Sequence, residues 1–187
     1  MTSTTAIPFV IRDGLETDIE RCLRLDHSYE TDHVWQMHIQ QEEANHWQIS
    51  FRKERLPRRL EAAVPQNEAR LRAALPADQC FLVATRRDSE DLLGYLTMLN
   101  DPVNHLGLIR DLLVGASVRG HQIGTRLLSV ASSWAKERGI NRLQIELQTK
   151  NFPGIAFCQQ RGFTFCGFND RVFPNQDIAV YFGLSLR

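Results

Sequence analysis

The chain has 187 residues, about the length of one ordinary domain, and its 43% hydrophobic and 24% charged residues are enough to bury a core without help from disulfides or metals. Its 22 basic and 22 acidic residues cancel to a formal charge of zero. No global field is present to draw in a nucleic-acid backbone or an anionic membrane, so neither is expected as a partner.

Positions 8–12 are a short apolar run followed by Asp13 and Gly14, which predicts a strand and a turn, and Thr17, Asp18, Ile19 and Glu20 then open a helix. Positions 27–46 are polar, rich in His and Gln and weakly patterned, and predict a helix with a loop. Trp47, Ile49 and Phe51 alternate with Gln48, Ser50 and Arg52, the period of a half-buried strand. The basic stretch at 52–59 reads as a solvated helix or loop surface, and Pro57 and Pro65 punctuate the charged segment. A short amphipathic helix is expected at 68–75, ended by Pro76. Strands at 81–85 and 92–100 are expected to pair antiparallel through a turn at 86–90, with the next strand over 106–114. From Ile123 the apolar residues Leu127, Leu128, Ala131, Trp134 and Ala135 recur at helical spacing, and Gly139 stands where a C-terminal cap belongs. A strand at 142–149, a short helix at 154–161 and two strands at 163–168 and 178–186 follow. The fold class is therefore α/β, with mixed strand directions imposed by hairpins in the middle and helix crossovers near the end.

Cys22, Cys80, Cys158 and Cys166 form no CxxC pair and no zinc-ligand spacing. Free thiols in a reducing compartment are expected, and with no basic leader and no run of about 18 apolar residues the expected location is the cytoplasm. His27, His33, His38 and His46 share a segment with Glu42 and Glu43 at spacings that build no helical metal site, so surface histidines and no metal are expected. Trp35, Trp47 and Phe51 are expected in the core, some at the mouth of a site.

The segment 111–125 runs from a strand through a glycine-containing turn into the best helix. Unpaired N–H groups at a helix start, with the helix dipole, make a site for a pyrophosphate; Gly120 and Gly124 let oxygens approach the main chain, and Arg119 adds positive charge. The pattern is neither GxxxxGK[ST] nor GxGxxG, and by itself it fits a phosphate site and an ordinary tight turn equally.

Arg119, Gly120, His121, Gln122, Ile123, Gly124 and Thr125, followed by Leu127 and Leu128, resemble the [QR]xxGx[GA] pattern of the GNAT superfamily of N-acetyltransferases. The preceding Asp111, Leu112, Leu113 and Val114 look like that family's central strand, and Asn151 followed by Gly162 and Phe163 resembles its Asn…GF ending. Within the family, the chain from Val118 is most similar to streptothricin acetyltransferases, whose NFP…NEIAIFWY ending the tail at 172–182 resembles. The resemblance implies one GNAT domain over 1–187, with a central mixed, mostly antiparallel sheet flanked by helices. It also implies acetyl-CoA as co-substrate, a small-molecule or peptide amine as acceptor, and direct transfer in a ternary complex. Residues Arg119–Thr125 and Asn151 would bind CoA, and the backbone of Leu112, Leu113 and Val114 would hold the pantetheine arm and the acyl oxygen. Asp111 is the carboxylate best placed as base, directly or through a water, or else it buttresses the strand or binds the acceptor's charge. Where the family usually has a tyrosine as general acid this chain has Cys158, a weaker hydrogen-bond donor, or else a small buried residue. Tyr181 or a water could serve instead. Gln122 departs from the pattern where its first glycine usually stands. A homodimer paired through C-terminal strands is compatible with the family. The rival reading is a silent domain that binds acyl-CoA as a sensor, and a third is an unrelated nucleotide-binding protein.

Overall fold

The computed structural model describes residues 7–65, 67–173 and 177–186. Its strands are β1 Phe9–Asp13, β2 Ser28–Glu43, β3 His46–Ala63, β4 Cys80–Arg86, β5 Leu92–Asp101, β6 Leu106–Val114, β7 Arg142–Gln148, β8 Thr164–Asn169 and β9 Ala179–Ser185. The helices are α1 Ile19–Arg24, α2 Glu68–Ala73, α3 Ile123–Glu137 and α4 Phe152–Gln160. Seven strands form one sheet in the order β1-β4-β5-β6-β7-β9-β8, and β2 and β3 form a separate two-stranded sheet. The pairs β1/β4, β4/β5 and β5/β6 are antiparallel and β6/β7 is parallel, so the sheet is mostly antiparallel, as expected. The described chain divides into two compact units.

The first unit comprises the chain up to His27, Val64–Ile145 and the chain from Gly183. Strand β4 reads as a continuous apolar run because both its faces are buried. On one face, Phe81, Val83, Tyr95 and Leu113 close over Ile19 and Cys22 of α1, Leu71 of α2 and Ala74 just after it. The alternate residues Leu82, Ala84, Leu96 and Met98, also buried, point the other way, and α3 packs against β4, β5 and β6. Helix α3 buries Ile123, Leu127, Leu128, Ala131 and Ala135, each large aliphatic side chain contributing about 1.5–3 kcal/mol. It ends where Gly139 takes φ +74°, the left-handed cap that its position in the sequence predicts. The start of α1 is pinned by Asp18. Burial opposes its charge, but two hydrogen bonds from Arg12 (2.6 and 2.9 Å) and one from the Leu15 N–H (3.0 Å) overcome that and hold the carboxyl below its ordinary value.

The second unit comprises Ser28–Ala63 and Glu146–Phe182, and it corrects the expectation of a helix at 27–46. That stretch is β2, paired antiparallel with β3 from Ser28↔Ala63 to Glu43↔His46. Its alternation is present in Tyr29, Thr31, His33, Trp35, Met37 and Ile39, but histidine and polar neighbours hide it. Strand β3 likewise runs through Pro57 instead of stopping there. The ladder breaks register between Thr31 and His33, and Pro57 falls in the break, where no N–H is required of it. Basic residues 52–59 are surface residues as expected, on a strand rather than a helix or loop. The unit's interior is aromatic. The Trp35 ring lies 6.1, 6.0 and 5.4 Å from those of Phe51, Phe165 and Phe182, and Phe51 lies 5.2 Å from Phe165. Trp47, expected inside, is 56% exposed, because it stands near the hairpin tip opposite Gln41.

Candidate active site

Strand β6 is the element on which the first unit's polar residues converge. Its ladder to β7 pairs Leu106 through Ile109 with Arg142 through Ile145. The register with β7 ends at Ile109, so over Leu112–Val114 alternate N–H groups on that edge are open to an added extended chain, while the Val114 C=O accepts from Arg119 Nε. On the other side, the register with β5 shifts between Thr97↔Asp111 and Met98↔Ile109, leaving Arg110 as the extra residue of a bulge. The bulge lies immediately before Asp111. That carboxylate is buried and accepts a 2.6 Å hydrogen bond from the Thr97 hydroxyl. Its charge, added to burial, pushes the Tyr95 hydroxyl far above the usual phenol value. Thr97 and its tie to Asp111 escape a sequence reading, since only the register puts the two face to face.

Beyond Val114 the chain makes a tight turn into α3. The Gly115 N–H donates to Leu93 O (2.9 Å), Val118 N–H to Gly115 O (3.0 Å), and Arg119 Nε to Val114 O (3.1 Å). Gly120 then takes φ +85° and Gln122, the residue preceding the helix, takes φ +64°. This explains the departure at Gln122: the backbone there is left-handed, the conformation glycine adopts freely and glutamine does not. Left-handed residues in such a turn gather N–H groups into a concave cluster that binds anions. No side chain caps α3, so the N–H groups of Ile123, Gly124 and Thr125 have no acceptor within the helix. The first turn contains no acidic residue, Arg119 and Arg126 are both exposed, and a Cβ on Gly120 would meet nothing within 4 Å. His121 stands half-buried in the turn. Residues Asp111 to Thr125 are thus brought together on one continuous segment, an open strand edge leading into a positive, uncapped helix start.

Asn151 and Cys158 belong to the second unit and are described there. Asn151 precedes α4 and accepts a 3.0 Å hydrogen bond from the Gly154 N–H. A Cβ on Gly154 would lie 2.8 Å from the Asn151 amide, so the two residues are matched as a cap. Cys158 is 2% exposed on α4, and burial pushes its thiol up to about 12. Asp177 accepts from Gln148 Nε2 (2.8 Å) and pairs with Lys150 (2.5 Å). Tyr181 is half-buried on β9. Positions 174–176 of the tail pattern lie outside the described residues. His27, expected at the surface, is instead buried at 3% exposure, because its ring packs against Tyr95 of the core. Among the described residues no group of His, Cys, Asp or Glu could hold a metal ion, and no helix is long and apolar enough to cross a membrane.

A streptothricin acetyltransferase of Streptomyces lavendulae is 33% identical over 97 residues, which are 52% of this chain and 51% of that protein. One from Escherichia coli is 30% identical over 80 residues, 43% and 45% of the two chains. The chain spans about half the length of these curated relatives. Among solved structures, nourseothricin acetyltransferase matches with a TM-score of 0.83 at 24% identity, over 96% of this chain and 99% of that one. A Bacillus anthracis str. Ames protein solved with acetyl coenzyme A matches with a TM-score of 0.76 at 21% identity, over the same shares. At these identities the likeness is one of fold. A sequence model of the Acetyltransferase (GNAT) family matches residues 30–163, more than half of the chain, and the chain belongs to that family.

Proposed function

We propose that the protein transfers the acetyl group of acetyl-CoA to a primary amine of a small polyamine-like molecule, of the kind named in its streptothricin acetyltransferase relatives. The observation that carries the reading is the uncapped start of α3 behind a left-handed turn, continuous with the open edge of β6. Residues 119–125 fit a pyrophosphate through main-chain N–H groups and the Arg119 charge, and the open edge fits an amide-bearing pantetheine arm lying as an extra strand. An N–H of Leu112, Leu113 or Val114 would then meet the acyl oxygen, where negative charge grows as the amine attacks. Asp111 supplies a fixed negative charge beside that point and draws the acceptor's ammonium toward it. In this reading Cys158 packs α4. A thiol held at about 12 keeps its proton too tightly to pass it to the departing thiolate at neutral pH. Asn151 orders the start of α4, next to a family motif. The C-terminal strand pairing of a homodimer would use β8, the outermost strand of the sheet.

A thermal-shift titration with acetyl-CoA, CoA and ATP tests the cofactor, since a ligand bound by the native state alone must raise its melting temperature. Stabilisation by acetyl-CoA and CoA but not ATP is expected, followed by CoA release when streptothricin or spermidine is added. Asp111→Asn should raise KM for the amine about tenfold with a smaller change in kcat. Binding without turnover on any amine would convert the reading to that of an acyl-CoA sensor, and stabilisation by ATP alone would sink it.

A further inference from the structure

Thr97 is fully buried in β5, yet it carries a hydroxyl where its neighbours Leu96 and Met98 carry apolar side chains. That hydroxyl donates the 2.6 Å hydrogen bond to Asp111 Oδ2. Register makes the two meet. Across the ladder Met98 faces Ile109, so an unbroken strand would set Arg110 against Thr97 and Asp111 against Leu96, on the opposite face of the sheet. The extra residue at Arg110 moves the carboxylate by one position, onto the face where Tyr95 and Leu113 stand. A carboxylate brought into a buried setting is stable only with a donor aimed at it. Valine has the same branched shape and the same preference for strands, so neither volume nor backbone calls for threonine at this position. What threonine adds is the hydrogen bond to Asp111, and the two branches on its Cβ restrict the rotamers through which the donor can point.

We propose that Thr97 is a positioning residue for acetyl transfer, holding the Asp111 carboxylate in one orientation so that the acceptor's ammonium meets a charge already in place. The inference rests on the acetyl-transfer reading above, in which Asp111 draws the ammonium. Thr97 acts through Asp111 and touches neither substrate. A carboxylate without that donor spreads over several rotamers, and an ammonium that binds it must first gather it into one. The effect is confined to the amine, because Thr97 faces Asp111 whereas the proposed acetyl-CoA contacts lie on Leu112–Val114 and in the turn at 119–125.

The test measures steady-state kinetics of Thr97→Val, Thr97→Ser, Asp111→Asn and the Thr97→Val/Asp111→Asn double variant, with spermidine and streptothricin as acceptors. Thr97→Val is expected to raise KM for the amine about three- to tenfold, the worth of one hydrogen bond, while KM for acetyl-CoA and the thermal shift it produces stay at parental values. Thr97→Ser restores the hydroxyl and should return the amine KM to within about twofold of the parent. On top of Asp111→Asn, Thr97→Val should add less than about twofold, because the charge it positions is gone. Thr97→Ala carries the test if the valine variant does not fold. A threonine that only supports the fold would lower the melting temperature and leave the amine KM where it was. An amine KM within about twofold of the parent in Thr97→Val, beside a raised one in Asp111→Asn, would overturn this proposal alone. An effect of Thr97→Val that multiplies in full with that of Asp111→Asn would overturn it too. A parental amine KM in Asp111→Asn would overturn the role of Asp111 and this proposal together, and a parent chain that binds acetyl-CoA but acetylates no amine would overturn the acetyl-transfer reading as well.

Discussion

Gln122 stands at φ +64° and ψ 11°, exposed, with its side chain capping nothing. A side chain in the left-handed region costs about 1–2 kcal/mol, and placing glycine there removes that cost but adds about 0.5–1 kcal/mol of backbone entropy to be lost on folding. Gln122→Gly should therefore stabilise the fold by about 0.5–1 kcal/mol, a rise of about 1–4 °C in Tm for a chain of this size. The neighbouring Gly120 provides the opposite perturbation. Its φ is +85° and an added Cβ would meet nothing within 4 Å, so the cost of Gly120→Ala is conformational alone. A loss of about 1 kcal/mol is expected once the stiffer unfolded chain is credited. Urea unfolding of both variants beside the parent measures the pair, and because neither substitution changes the exposed area, m should stay constant. If Gln122→Gly destabilised by 1 kcal/mol or more, or Gly120→Ala were neutral, the turn would not be the left-handed one on which the proposed anion site depends.

Arg119→Gln should weaken acetyl-CoA binding about 10–100-fold, the worth of one charge-assisted hydrogen bond, with a shallower salt dependence, read by calorimetry at two ionic strengths. Asp18 has a folded pKa below its unfolded one, so its stabilisation is complete above about pH 4 and is lost as pH falls through the folded value. Asp18→Asn should cost about 1–3 kcal/mol at neutral pH and flatten the acid limb of the stability profile, measured by thermal melts across pH. Burial pushes Cys22, Cys80 and Cys158 up to about 12 while Cys166 is exposed, so iodoacetamide should label Cys166 first in the native protein, as peptide mass spectrometry would show. Cys158→Ala should keep kcat within about tenfold of the parent, and a larger loss at unchanged stability would restore a proton-donating role to the thiol.

The first unit was legible because its elements are amphipathic or doubly buried. Strand β4 is apolar from Cys80 to Ala84, β6 matches its expected bounds, and α3 carries an unbroken helical stripe ending at Gly139. The hairpin of β2 and β3 was legible only at Trp47, Ile49 and Phe51, the strand expected there lying within β3. Its outer residues are polar and its inner ones include Thr31 and His33, so the period of two is present but low in contrast, and Pro57 hides its tolerance in a register break that only the pairing reveals. The turn before α3 could be read from the glycines, whereas the strained conformation of Gln122 could not, because nothing in a glutamine announces a positive φ. The burial of Asp111 against Thr97 and of His27 against Tyr95 depends on register and on what covers a surface, both of which are tertiary properties.

The Val64 N–H donates to the His27 carbonyl at 3.4 Å, so the chain leaves the first unit for the β2–β3 hairpin and returns to it at a single point. With that doorway fixed, the length of the excursion is nearly free, since each doubling of a closed loop adds only about 0.6 kcal/mol of entropy cost. The hairpin can lengthen, shorten or change sequence while the turn before α3 and the edge of β6 stay as they are. A lineage bearing this fold could then vary the hairpin without rebuilding the strand edge and turn of the first unit.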